Sequence, residues 1–143
     1  MTTAEQLTQI FKDNFVAYYR SHVAHANITG RNFRSDHKLL QGVYERRQAQ
    51  IDVIGELLRT LKEYMPCSLS EVILDSQFSS DELAGTADFL LDAIKEDLEF
   101  LADEFRELIV IAELEDETQI ANYAQEQVLD LTKSIWMLES TLG

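Results

Sequence analysis

The chain has 143 residues, enough for one domain with its own core, and its 5 glycines and 1 proline give little material for a many-turned β-fold. Its net charge is -14, from 26 acids against 12 bases, which leaves little from which to build the basic patch that nucleic-acid binding needs. No apolar run approaches the ~20 residues of a membrane span; MTTAEQ lacks a signal-peptide pattern; and Cys67 stands alone, which excludes an internal disulfide framework and fits a reducing cytoplasm.

Four long segments carry helical periodicity. The first is predicted over about Ala4–Asn27, with Thr3 and Gln6 as its capping box and Leu7, Ile10, Phe11, Phe15, Tyr18, Tyr19 and His22 at three-and-four spacing. NITGRN breaks it, and Gly30 supplies a turn conformation that a β-branched residue resists. The second helix is predicted from Ser35, as N-cap, to Tyr64, with Leu39, Leu40, Val43, Tyr44, Ile51, Ile54, Leu58 and Leu61 on its apolar face. Residues 67–78 have room for one or two helical turns. The third helix is predicted to begin at SSDELAG, where Ser79 and Glu82 fit a capping box, and to run to Leu114; the fourth spans Asp116 or Thr118 to Leu142. The link between the second and third helices is the only long one. The expected architecture is therefore all-α: two antiparallel hairpins packed as a four-helix bundle with one crossover, ferritin-like in outline.

All 3 histidines, His22, His25 and His37, fall in the stretch SHVAHANITGRNFRSDH. His22 and His25 are three apart on one helix and share a side. The turn should bring His25 beside His37, in the first turn of the next helix. Imidazole suits iron and zinc, and iron also takes carboxylates. Asp52 and Glu56 share a face of the second helix, with Gln41 on nearly the same stripe. His37 and Asp52, however, lie ~22 Å apart along that helix. If they share an ion, the carboxylates must come from a second copy, related by a two-fold axis near the middle of the helix. The plainer alternative stands beside this one: Asp52 and Glu56 as surface acids, Glu56 paired with Arg59, and His25 as a hydrogen-bonded core residue. The Glu-x-x-His signature of di-iron bundles is absent. There is also no phosphate loop, nucleophile elbow or cysteine cluster.

HANITGRNFRSDHKLLQGVYERRQAQIDVIGELLRTL resembles the most characteristic segment of the Dps family, the mini-ferritins that protect DNA in starved cells. His25, Asn27, Gly30, Asn32, Phe33, His37, Asp52 and Glu56 stand at that family's spacing, and YYRSHVAH and SIWMLESTLG are also similar to it. The resemblance covers nearly the whole chain. It implies a single ferritin-like domain over residues 1–143, assembled from two-fold dimers into a hollow dodecamer, with residues 67–78 as a small helix at the dimer interface. It implies a ferroxidase: Fe(II) bound between subunits is oxidised with hydrogen peroxide or oxygen and stored as ferric mineral, which limits hydroxyl-radical chemistry. His25 and His37 of one subunit and Asp52 and Glu56 of its partner would be the catalytic ligands, with Glu56 the main ferrous ligand and His25 and Asp52 on the same or the adjacent iron.

The departures point to a modified centre. Gln41 replaces the usual acid, offering an oxygen without a charge, so a second iron should bind more weakly. Ala26 replaces a tryptophan that sits near the family's site, Gly55 replaces alanine, and Leu57 replaces arginine. His22 is either an extra ligand or a packed histidine. Zinc could occupy such a nitrogen and oxygen site and inhibit it. Glu113, Glu115, Asp116 and Glu117 are candidates for an acidic pore that draws in Fe(II), Glu113, Asp116 and Glu117 above all; the alternative is that they are acids favoured by a helix N-terminus. Trp136, the tyrosines, Met65 and Met137 are assigned to packing. Two other functions compete. One is DNA compaction, which the charge of a twelve-copy cage and the lack of a basic tail oppose; the other is a structural cage whose metal site has lapsed.

Overall fold

The computed structural model describes residues 1–143 as five helices and no strand: α1 (Thr3–Asn27), α2 (Phe33–Thr60), α3 (Leu69–Asp75), α4 (Ala87–Leu114) and α5 (Thr118–Leu142). α1 packs on α2 and α4, α4 packs on α5, and α3 lies against α1. The paired residues give the directions. Asn14 meets Arg47 while His25 meets His37, so α1 and α2 are antiparallel. Gln6 reaches Glu104 while Arg20 reaches Asp97, so α1 and α4 are antiparallel. Gln50 meets Tyr123 while Arg46 meets Ser134, so α2 and α5 are antiparallel as well. The result is the expected bundle, with the short α3 riding on the crossover. No helix is long and apolar enough to cross a membrane.

Several helix ends fall elsewhere than the sequence suggests. The capping box of α1 is Thr2 with Glu5, one residue earlier than predicted. Thr3 and Gln6 are drawn into tertiary bonds instead: Thr3 donates to Glu115, and the Gln6 amide donates to the Glu104 carbonyl at 3.0 Å. α2 starts at Phe33, and Ser35, rather than capping it, donates back to the Asn32 carbonyl at 3.0 Å. It stops at Thr60 because Lys62 turns left-handed (φ 68°) and closes a Schellman motif, with Lys62 N–H donating to Arg59 and Glu63 N–H to Leu58. The largest displacement is at α4. Ser79 only accepts from Asp81 N–H in a local turn, and the helix is capped by Thr86, which accepts from Phe89 N–H at 3.2 Å. Gly85, at φ 159°, permits this start, since a Cβ there would sit 2.6 Å from the Phe89 ring.

Polar side chains are built into the core. Arg47, 1% exposed, donates to Asn14, Gln127 and Asp130, while Asn14 donates to the Arg47 carbonyl at 2.8 Å, so one guanidinium ties α1, α2 and α5. Asp13 is fully buried and accepts from the Ser76 hydroxyl, the Gln77 N–H and the Gln77 amide, which pins the crossover to α1 behind α3. Glu104 of α4 faces the same group. Burial first, then the hydrogen bond and charge of Asp13 and the charge of Glu107, push its carboxyl up to about 10. Folded Glu104 is thus held as a neutral acid beside Asp13.

Unfolded, Glu104 titrates near 4.5; folded, it keeps its proton to about 10. Between those values unfolding releases a proton, so raising the pH favours the unfolded chain, by at most about 1.4 kcal/mol per pH unit from this group. Glu104→Gln keeps the shape and a donor without the titration. Its denaturation midpoint should fall less steeply with pH than that of the wild type over this window. Parallel slopes for the two proteins would show that Glu104 does not carry the proton.

Candidate metal centre

Five residues, Ile28–Asn32, join α1 to α2, and Gly30 at φ 121° turns the chain between them. That turn stacks the two helix ends so that His25 and His37 meet face to face, ring centroids 3.7 Å apart and planes 19° from parallel. Each histidine holds the other's backbone. His25 Nδ1 donates to the His37 carbonyl at 2.7 Å, and His37 Nδ1 donates to the His25 carbonyl at 2.7 Å. The protons are thereby fixed on Nδ1, and both Nε2 atoms are left with free lone pairs. Orientation of a ligating imidazole by such a bond is the usual support of a metal site. His25 is 9% exposed, at the edge of the buried region, and His37 is half-buried under the Phe33 ring at 5.0 Å.

His22 lies one helical turn back and is engaged differently. Its Nδ1 is 2.9 Å from the Tyr18 hydroxyl, and its ring stacks on Tyr44 at 3.9 Å and 5°. Tyr44 in turn meets the edge of His25 at 5.0 Å. Tyr18 and Tyr44, expected only to pack, surround the histidines instead. The signal was present in the spacing: Tyr18, His22 and His25 share a helix face.

Asp52 and Glu56 are exposed on α2, and neither makes an ion pair or a side-chain hydrogen bond. The alternative in which Arg59 neutralises Glu56 does not hold. Arg59 lies over the Tyr64 ring, 4.2 Å from its centroid, and donates to the Glu63 carbonyl at 3.0 Å. Gly55, which precedes Glu56, also has a reason: a methyl group there would come 2.7 Å from Met65 Sδ, so the thioether fills the space an alanine side chain would take. Gln41 is exposed and donates to Glu45 at 2.9 Å, which leaves its carbonyl oxygen free. Within one chain, no three His, Cys, Asp or Glu side chains converge closely enough to hold a metal ion.

Of the acids near the second hairpin turn, only Glu117 sits at a helix N-terminus as that alternative required: it is the N-cap of α5, without a side-chain capping bond. Glu113 is in the last turn of α4, Glu115 is its C-cap, and Asp116 (φ 59°) closes a second Schellman motif. Glu117 precedes α5, whose first turn contains no acid. Glu115 accepts from the Thr3 N–H and hydroxyl, which hold its carboxyl below the ordinary range. Glu113 and Asp116 remain exposed at a helix end whose dipole disfavours negative charge.

A ferritin-like domain model matches residues 4–143. Over 144 residues the chain is 32% identical to the "DNA protection during starvation protein" of Helicobacter pylori strain J99, covering 100% of both. The chain belongs to the Dps family of ferritin-like proteins. Among solved structures, Helicobacter cinaedi CAIP superposes with a TM-score of 0.93 at 29% identity, covering 99% of this chain and 100% of that one. The Dps protein of Vibrio cholerae O1, described as a member of a broad superfamily of ferritin-like diiron-carboxylate proteins, gives 0.93 at 20% identity over 99% of this chain and 89% of that one, a likeness of fold.

In this Dps chain each of the two imidazoles is oriented by a carbonyl, not by the other's side chain. His37→Ala therefore removes one candidate ligand while leaving His25 aimed. Anaerobic Fe(II) titration should show affinity lower by at least about tenfold, the loss expected even for a hydrogen-bond partner of a ligand, with the binding stoichiometry kept. An unchanged affinity would take His37 out of the site.

Proposed function

We propose that this protein is a ferroxidase and iron-storage cage. Fe(II) binds between two subunits, held by His25 and His37 of one and by Asp52 and Glu56 of the other, and is oxidised with hydrogen peroxide or oxygen. The ferric product is then kept inside a shell of twelve copies. The observation that carries the reading is the reciprocal latch, which presents two lone-pair nitrogens side by side, together with two unneutralised carboxylates on the same α2 helix too far along it to join them. Two imidazoles and two carboxylates form a donor set suited to iron. The diiron-carboxylate description of the V. cholerae relative agrees with that chemistry.

A second copy also has somewhere to sit. A groove of about 590 Å³ between α1, α3 and the crossover is lined by Phe15, Tyr19, Val23, Leu69, Ile73 and Leu83. Tyr19, Leu69 and Leu74 are 63%, 61% and 81% exposed in the single chain, more apolar surface than an isolated subunit would leave to water. The surface charge of -14 concentrates cations, and Glu113, Asp116 and Glu117 at the second turn are the acids proposed for an entry pore.

Peroxide accepts two electrons and each Fe(II) gives one. Two Fe(II) ions, bound together or one after the other, consume one peroxide and two protons and yield two Fe(III) and two waters. Gln41 offers only a neutral oxygen, so one iron is held better than the other.

Purified oligomer should oxidise Fe(II) with peroxide in a saturable way, and His25→Ala combined with Glu56→Ala should lose that saturable phase. A double variant with the full rate would refute the site. The relative's name raises direct DNA binding. The net charge opposes it, and a low-salt gel-shift assay without Mg or Fe should show no shift.

A further inference from the structure

The rings at the histidine end of the hairpin form a connected series that metal ligation does not use up. The Tyr18 hydroxyl is 2.9 Å from His22 Nδ1. The His22 ring lies flat on Tyr44 at 3.9 Å, Tyr44 meets His25 at 5.0 Å, and His25 stacks on His37 at 3.7 Å.

A phenol that loses one electron becomes a very strong acid. Its oxidation is therefore easy only where a base already accepts its proton. Imidazole nitrogen is such a base, and His22 Nδ1, 2.9 Å from the phenol oxygen, is within reach of its proton. The other 4 of the 5 tyrosines lack this arrangement. Tyr123 donates to the amide of Gln50, which cannot take a proton, and burial pushes its phenol up. Tyr19, Tyr44 and Tyr64 make no side-chain hydrogen bond, so Tyr44 serves as a bridge between rings and not as a source of a proton and an electron.

We infer that Tyr18, with His22 as its proton acceptor, is a one-electron donor to the His25–His37 site. The inference rests on the proposed iron oxidation for its oxidant, hydrogen peroxide. When a single Fe(II) is bound it supplies one of the two electrons peroxide needs, and the unpaired remainder would be hydroxyl radical. Tyr18 supplies the second. The O–O bond breaks, two protons enter from solvent, two waters form, and Fe(II) becomes Fe(III). Tyr18 becomes a neutral tyrosyl radical, its proton now on Nδ1 of His22. A later Fe(II) reduces the radical, and His22 returns the proton.

The test uses the intact oligomer with Tyr64→Phe as background, so that the most exposed phenol does not contribute. In the first arm, iron-free protein is oxidised by photogenerated tris(bipyridine)ruthenium(III), and tyrosyl radical is identified by electron paramagnetic resonance with ring-deuterated tyrosine. The signal should appear, and should be lost in both Tyr18→Phe and His22→Phe. A signal undiminished by either change overturns the inference. In the second arm, one Fe(II) per site meets one equivalent of peroxide. The same radical should form with little hydroxyl adduct on a nitrone spin trap. Tyr18→Phe should lose the radical and gain the adduct, while anaerobic Fe(II) affinity stays unchanged. Iron oxidised without a tyrosyl radical in the background protein overturns the inference. If the iron stays ferrous, the ferroxidase reading falls, and the first arm alone decides the Tyr18–His22 pair.

Discussion

The two hydrogen bonds exchanged between His25 and His37 are the constraint from which the site follows. Each imidazole donates to the other residue's carbonyl at 2.7 Å. One exchange does three jobs. It fastens the end of α1 to the start of α2, it selects the tautomer of both rings, and it leaves both Nε2 atoms as acceptors with nothing to accept from in the chain. His37 is half-buried, and neither Nε2 is among the buried atoms that lack a partner, so both lone pairs open to the surface. Here the protein satisfies the two donors with backbone and withholds partners from the two acceptors. Packing alone does not require that choice, because either ring could have been replaced by an apolar residue at similar burial.

The rest of the bundle keeps this end in register. Arg47 anchors α2 to α1 and α5 from the interior, and Asp13 with Glu104 anchors the crossover to α1 and α4. Both are buried polar networks, costly if half-satisfied and specific when complete. Glu104 remains neutral because ionising it would set a second charge beside Asp13 in a dry interface. One of its oxygens has no partner even so. Arg59 follows the same logic at the surface. Its attachment to Tyr64 and to the backbone at Glu63 leaves the face bearing Asp52 and Glu56 without a neutralising cation.

Periodicity made the four long helices legible, as did the turn at Gly30, because each depends on residues close in sequence. The ends were less so. Thr3, Gln6 and Ser79 each look like caps in isolation, and each loses the role to a bond or turn that local spacing does not reveal: Thr3 to Glu115, Gln6 to the Glu104 carbonyl, Ser79 to a turn ahead of Gly85 and Thr86. Proximity of His25 and His37 could be argued from a short turn between helices. Their mutual carbonyl bonds could not, since side-chain torsions decide them. Gly55 shows the same limit. Its reason is Met65, ten positions on and brought back by the left-handed turn at Lys62, a conformation that no lysine announces.

A centre divided between chains has an energetic consequence that a self-contained one lacks. On the proposed arrangement neither subunit alone offers more than two donors at one point. An ion that binds well only to the pair stabilises the pair, by the logarithm of its concentration over its dissociation constant. Loading and assembly are then linked, and the linkage runs both ways. The apolar groove along α1 and α3 supplies association that needs no ion, while the unpaired carboxylates of α2 oppose it until a cation arrives. An empty interface therefore carries uncompensated negative charge close to two imidazole lone pairs, a pre-set preference for a divalent cation over water. On the same proposal Gln41, a neutral amide, would temper that preference at one position by withholding a charge, and one iron would be held more tightly than the other, so that a second electron would have to come from the protein's own side chains.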